Sequence, residues 1–168
     1  MAEIVVLLSA GRHPATGRLR PAEGDSRALA VADGLAKRGH DVTALHAGPD
    51  DQPLRMYGGF GIGSLTRLAM DEHADALAVI AGWLNARRPS LVLAGARAEQ
   101  GEGSGLLPYA LAQALGGTCI PDVAAVEDLG ERVVLIQALP GGRRRRLAAS
   151  LPSIVSVAHA APLPGGWA

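Results

Sequence analysis

Through residue 115 the chain alternates short apolar runs with stretches of helical periodicity, and this alternation restricts it to one fold class. Ile4-Val5-Val6-Leu7-Leu8, ending at Ser9-Ala10-Gly11, is short, rich in β-branched residues and without a polar face. It predicts a strand buried on both sides of a sheet. Gly11 to Gly24 holds two Pro and three Gly and reads as a loop. Asp25 or Ser26 then caps a helix reaching about Arg38, in which Ala28, Leu29, Ala32, Leu35 and Ala36 recur at helical spacing before Gly39.

Asp41 to Ala47 reads as a second strand, closed by Gly48-Pro49. Tyr57 to Gly63, with four Gly in seven residues, is irregular, and a short strand near Ser64 to Met70 follows. Ala74, Leu77, Ala78, Ile80, Ala81 and Leu84 predict a helix ending at Arg87-Arg88-Pro89. Ser90 to Gly95 is another buried strand, and a helix from about Leu106 to Leu115 stops at Gly116-Gly117. Such alternation demands a parallel sheet with right-handed crossovers.

Beyond residue 115, strands are expected at Val123 to Val126, Arg132 to Ala138, Arg143 to Ala149 and Ser153 to Val157, with no helices between them. Pro140-Gly141-Gly142 is a hairpin turn signal. The expectation is an α/β domain over residues 1–158: a Rossmann-like parallel sheet with flanking helices and an antiparallel C-terminal extension. Residues 159–168, rich in Pro and Gly, form an extended or mobile tail.

Composition narrows the function. Sixteen acidic and sixteen basic residues cancel, which removes the field that holds nucleic acids or anionic membranes. The single cysteine, Cys119, excludes an internal disulfide framework and a cysteine-based zinc cluster. The first apolar run is too short for a leader or a span, so no membrane insertion and a cytoplasmic location are expected.

The most informative segment runs from Leu91 to Gly105: a strand, then a glycine-rich turn, then a helix. A helix start at the carboxyl end of a parallel strand offers unpaired N–H groups to an anion, and glycine lets a phosphate approach the backbone. The same glycines could equally serve only to turn the chain. Gly58 to Gly63 reads as a surface loop, and Arg143 to Arg146 as a solvated edge that discourages sheet pairing, with a partner-subunit contact as the second reading. The five His show no metal spacing, and no Ser or Cys sits in a nucleophile setting. Asp71, Glu72 and Asp75 fall at a helix start, where acids complement the dipole. No catalytic residue and no metal ligand is predicted.

In order, these segments resemble the β subunit of electron transfer flavoproteins, from about Ile4 to Val157. Asp25-Ser26-Arg27-Ala28-Leu29 is similar to the family's Asp-Glu-Tyr-Ala-Leu, and Leu45-His46-Ala47-Gly48-Pro49 to its Val-Ser-x-Gly-Pro. Pro89 to Gly95 resembles Pro-Asp-Leu-Val-Leu-x-Gly, and Gly101-Glu102-Gly103-Ser104-Gly105 falls on the Asp-Gly-Asp-Thr-Gly loop. Leu111 to Gly116 matches Leu-Ala-Glu-Leu-Leu-Gly; Gly141-Gly142 and Leu151 to Val157 match the Gly-Gly and Leu-Pro-Ala-Val-Val-Thr-Val that close the domain.

The resemblance implies a noncatalytic electron-carrier subunit, paired with an α-like subunit that holds most of an FAD, and accepting electrons from a dehydrogenase. It implies AMP as this subunit's own ligand. Leu7 and Leu8 would contact adenine through backbone, Asp25 and Ala47 would line the adenosine, and Gly103, Ser104 and Gly105 would cradle the phosphate. Leu106 stands where the family has Gln, and Gln137 where it has Arg. The sequence ends soon after Val157, before the family's dehydrogenase-docking segment and its arm over the α subunit, which leads to the expectation of a shortened β-like subunit. A subunit interface requires an apolar patch, expected around the antiparallel extension. The alternatives are a stand-alone adenine-nucleotide sensor of the stress type, and a structural subunit that has lost its nucleotide.

Overall fold

A computed structural model describes residues 1–99 and 104–165 of the chain. The elements run β1 (Glu3–Leu7), β2 (Ala10–Arg12), β3 (Leu19–Pro21), α1 (Glu23–Lys37), β4 (Asp41–Gly48), α2 (Gln52–Met56), β5 (Ser64–Ala69) and α3 (Ala76–Arg87). There follow β6 (Leu91–Gly95), α4 (Leu107–Leu115), β7 (Thr118–Leu129), β8 (Arg132–Ala138), β9 (Arg144–Ser150) and β10 (Ser153–Val157). Eight strands form one sheet in the order β5-β4-β1-β6-β10-β7-β8-β9, while β2 and β3 pair as a small hairpin. Neighbours from β5 to β7 are parallel, and β8 and β9 are antiparallel additions. The sheet is thus of the expected α/β kind.

Period-two alternation in β1 explains the two cores. Ile4, Val6 and Leu8 pack with Leu29 and Leu35 of α1 on one face. Val5 and Leu7 pack with Leu84 of α3 and Leu111 of α4 on the other.

Three details depart from the sequence reading. The last strand, β10, does not join the antiparallel extension but lies parallel between β6 and β7. All five of its residues are buried, so no edge position could satisfy it. Helix α1 begins at Glu23 with Ala22 at its N-cap, without a side-chain cap. Asp25 and Ser26 therefore lie inside the first turn: Ser26 donates its hydroxyl back to Ala22 O at 2.8 Å, and the Asp25 carboxylate is committed elsewhere. The Gly11 to Gly24 segment also carries the β2–β3 hairpin.

Other expectations match the structure. Asp75 caps α3 by accepting from the Leu77 N–H at 2.9 Å. Gly141 and Gly142 both have φ near +74° in the turn before β9, a conformation open to glycine. Strand β9 is the sheet edge; Arg146 pairs with Glu127 at 2.5 Å, and Arg143, Arg144 and Arg145 are exposed. On β8, Val133 and Leu135 join the α1-side core, whereas Val134 and Ile136 point the opposite way, are half-buried and belong to neither core cluster.

Candidate functional site

The strand order reverses direction at β1, whose neighbours are β4 and β6. The helix after β1 packs on one face of the sheet and the helix after β6 on the other. The connections therefore diverge above the carboxyl ends of β1 and β6, leaving a crevice at the switch point. A cavity of about 690 Å³ occupies it, within the ~300–1,000 Å³ range of small-molecule sites. Of the residues singled out from the sequence, Leu7, Leu8, Asp25, Ala47 and Gly105 all bound this cavity. Ser104 is exposed and does not bound it; its Oγ accepts the Leu106 N–H at 3.2 Å. Gly103 lies outside the described residues.

Backbone contacts define what the crevice can offer. The Leu8 N–H donates to Leu45 O at 2.8 Å, and Leu8 O lies 2.9 Å from His46 Nδ1. A carbonyl only accepts, so Nδ1 carries the proton and both polar peptide atoms of Leu8 already have protein partners. Asp25 sits at the junction of the two walls and is 5% exposed. Its Oδ2 accepts the Ser9 N–H at 2.7 Å and the Ser9 hydroxyl at 2.5 Å, and the Gly95 N–H also donates to the carboxylate. The carboxylate therefore clips the end of β1 to the end of β6. Burial pushes its pKa up to about 6; the Ser9 and Gly95 hydrogen bonds oppose this, and the charge of Glu99 adds to it.

Two further groups brace the segments beside the crevice. Tyr57 is fully buried, accepts the Ala22 N–H at 2.8 Å and donates its hydroxyl to Ser9 O at 2.8 Å. Burial holds the phenol protonated well above its usual range. Replacing Tyr57 with Phe leaves a buried N–H without its acceptor, so urea unfolding should show a loss of about 1–3 kcal/mol. Glu99, in the loop after β6, accepts the Glu23 N–H at 3.0 Å and pairs with Arg20 at 2.9 Å. This carboxylate ties residue 99 to β3 and to the start of α1. Gly11 admits it, since a Cβ there would stand 2.5 Å from Glu99 Oε2.

Sequence reasoning missed Tyr57, Glu99 and Arg97. The exposed Arg97 borders both this cavity and a neighbouring one of about 240 Å³. Its signal was available: it is a lone cation two residues beyond the glycine that ends β6. Glu99 gave none, because its partners lie 76 and 79 residues away in sequence. Among the described residues, no cluster of three or more His, Cys, Asp or Glu could hold a metal ion.

The architecture and its crevice define a doubly wound α/β domain with a ligand-sized cavity at the switch point. Residues 12–165 match the electron transfer flavoprotein domain, and the chain belongs to that family. It is similar to the electron transfer flavoprotein subunit beta of Chromohalobacter salexigens, at 47% identity over 167 residues, covering 96% of this chain and 62% of that protein. The chain thus spans less than two thirds of that relative's length. A solved structure of a universal stress protein family member from Burkholderia pseudomallei aligns at a TM-score of 0.38 and 13% identity, over 67% of this chain and 88% of its own. A likeness of that size carries no argument.

Proposed function

We propose that the chain is a β-type subunit of a cytoplasmic electron transfer flavoprotein. It holds AMP in the switch-point crevice and pairs with an α-type subunit that holds most of an FAD reduced by a dehydrogenase. The observation that carries this reading is membership of the family over residues 12–165. The residues present fit an adenine nucleotide. Leu7, Leu8 and Pro49 give apolar wall, and Arg97 borders the cavity as a cation. Helix α4 starts without a side-chain cap; Pro108 has no N–H, so the Leu107 and Tyr109 N–H groups are the ones its first turn can offer an anion. Gly105, at φ +81°, presses so close that a Cβ would stand 3.0 Å from Ala96 O.

The two sequence departures do not close the site. Leu106 is 64% exposed and does not bound the cavity, which supports a site that still takes its nucleotide. At Gln137, Arg145 donates to Oε1 at 3.2 and 2.5 Å, so a guanidinium still lies at that position. FAD, when bound, supplies the redox chemistry; this chain supplies position. None of its described helices is long and apolar enough to cross a membrane.

Val134 and Ile136 support the pairing, because they are apolar, half-buried and outside both core clusters. Co-expression with an α-type subunit should yield a complex that elutes together and shows flavin absorbance and AMP by mass spectrometry. Val134→Glu with Ile136→Glu should abolish co-elution while the chain remains folded, because a charge buried at an interface core costs several kcal/mol. A chain that ignores the α-type subunit and binds AMP as a homodimer would instead establish the stand-alone sensor.

A further inference from the structure

We propose that the crevice couples anion binding to proton uptake: a nucleotide phosphate entering it is accepted together with a proton on Asp25. This rests on the nucleotide reading above and adds its regulation by pH.

The argument starts from a charge without a counter-charge. Asp25 is nearly fully buried, and its partners Ser9 and Gly95 are neutral donors. It enters no ion pair among the described residues. The charged groups around it do not offset it. Glu99, from the loop after β6, is itself acidic, and its countercharge Arg20 on β3 is already paired with it. Glu23 on α1 is paired with Arg27. Tyr57 presents a neutral phenol from the turn after α2. The cations at the cavity wall, Arg12 and Arg97, are exposed, and so are the acids Asp50, Asp71, Glu72 and Asp75, which add no countercharge.

An incoming phosphate adds a second negative charge to the same small space. A cavity of about 690 Å³ is roughly 11 Å across, so a phosphate inside it lies close enough to shift a buried carboxyl by on the order of one pH unit, at an effective dielectric constant of about 20. No particular pose is needed for that estimate.

The local geometry can accept the proton without orphaning a group. Ser9 Oγ donates to the carboxylate, but a hydroxyl can equally accept. On protonation the new carboxyl O–H donates to Ser9 Oγ, and the backbone N–H groups of Ser9 and Gly95 keep a carboxyl oxygen to donate to. One O–H bond forms, its proton drawn from solvent. His46 and His73 also border the cavity, and the test must separate them from Asp25.

The test is calorimetric titration of the chain with AMP at pH 7, in two phosphate-free buffers of different ionisation enthalpy. The expected result is a net uptake of roughly 0.3–0.5 proton per AMP bound, with a smaller uptake for adenosine. AMP affinity should rise about fivefold from pH 8 to pH 6. AMP held by N–H donors loses its own phosphate proton more readily, so ligand ionisation gives the opposite sign. Asp25→Asn should abolish the uptake and bind AMP up to about tenfold tighter at pH 8; if it does not fold, the two-buffer measurement on a chain carrying His46→Gln and His73→Gln decides, uptake that persists there supporting Asp25 and uptake that vanishes overturning it. AMP binding without uptake, or uptake that persists in Asp25→Asn, overturns the inference and leaves the nucleotide reading standing. Failure to bind either AMP or adenosine overturns both.

Discussion

Alanine at position 95 is expected to cost about 3–5 kcal/mol of stability. A Cβ on Gly95 would stand 2.7 Å from Asp25 Oδ1, 2.9 Å from the Gly24 carbonyl carbon and 3.0 Å from Asp25 N. Two of these three atoms are helix backbone and cannot rotate away. Helix α1 must then lift from β6, and the Asp25 clip to Ser9 and Gly95 lengthens with it. Overpacking alone costs about 1–3 kcal/mol, and weakened hydrogen bonds to a buried charge add a comparable amount. Against a total of about 5–15 kcal/mol, that is a large fraction. Urea unfolding checks it, with Gly34→Ala as the control. Nothing stands within 4 Å of a Cβ at Gly34, and alanine inside a helix should add about 0.5–1 kcal/mol. If Gly95→Ala unfolds within about 1 kcal/mol of the unaltered chain, by the same linear extrapolation, the close approach of α1 to β6 is wrong.

Acid should strengthen the fold through Asp25, against the usual behaviour of carboxylates. Its pKa is raised to about 6 in the folded chain, against roughly 4 unfolded. Between these values the folded state binds more protons than the unfolded one. The residue's stabilising contribution is therefore complete below about pH 4 and is lost as the pH rises through about 6, a difference of about 3 kcal/mol. Glu23 works in the opposite sense, since its hydrogen bond from Arg27 holds its pKa low, but it is near the surface and solvent screens it. The discriminating quantity is the stability of the unaltered chain minus that of Asp25→Asn, measured at pH 4 to 7. The difference should tilt toward the unaltered chain as the pH falls; a constant difference would refute the assignment.

Patterns that depend on local periodicity were legible in the sequence. Helix α3, strand β4 and strand β6 fall within a residue or two of expectation, because buried strands and amphipathic helices write their environment into neighbouring positions. Asp25 shows where this fails. An acid at a helix start reads as a cap, yet here it reaches two strand ends, and no local rule distinguishes the two uses. Strand β10 shows the same limit in topology. Its apolar run announced burial, but its place between β6 and β7 depends on which neighbours leave a slot. Of the residues that bound the cavity, Leu7, Ala47 and Gly105 were named through the family resemblance, whereas Tyr57 and Glu99, beside it, act through partners remote in sequence.

The placement of β10 also governs how the molecule can be made. Until residues 153–157 have left the ribosome, β5, β4, β1 and β6 have no strand that joins them to β7, β8 and β9. Only the arrival of residues 153–157 zips the halves together, because that segment pairs with β6 on one side and β7 on the other. Such late, long-range pairing slows folding, and the open edges of β6 and β7 stay exposed to wrong partners until synthesis has passed them.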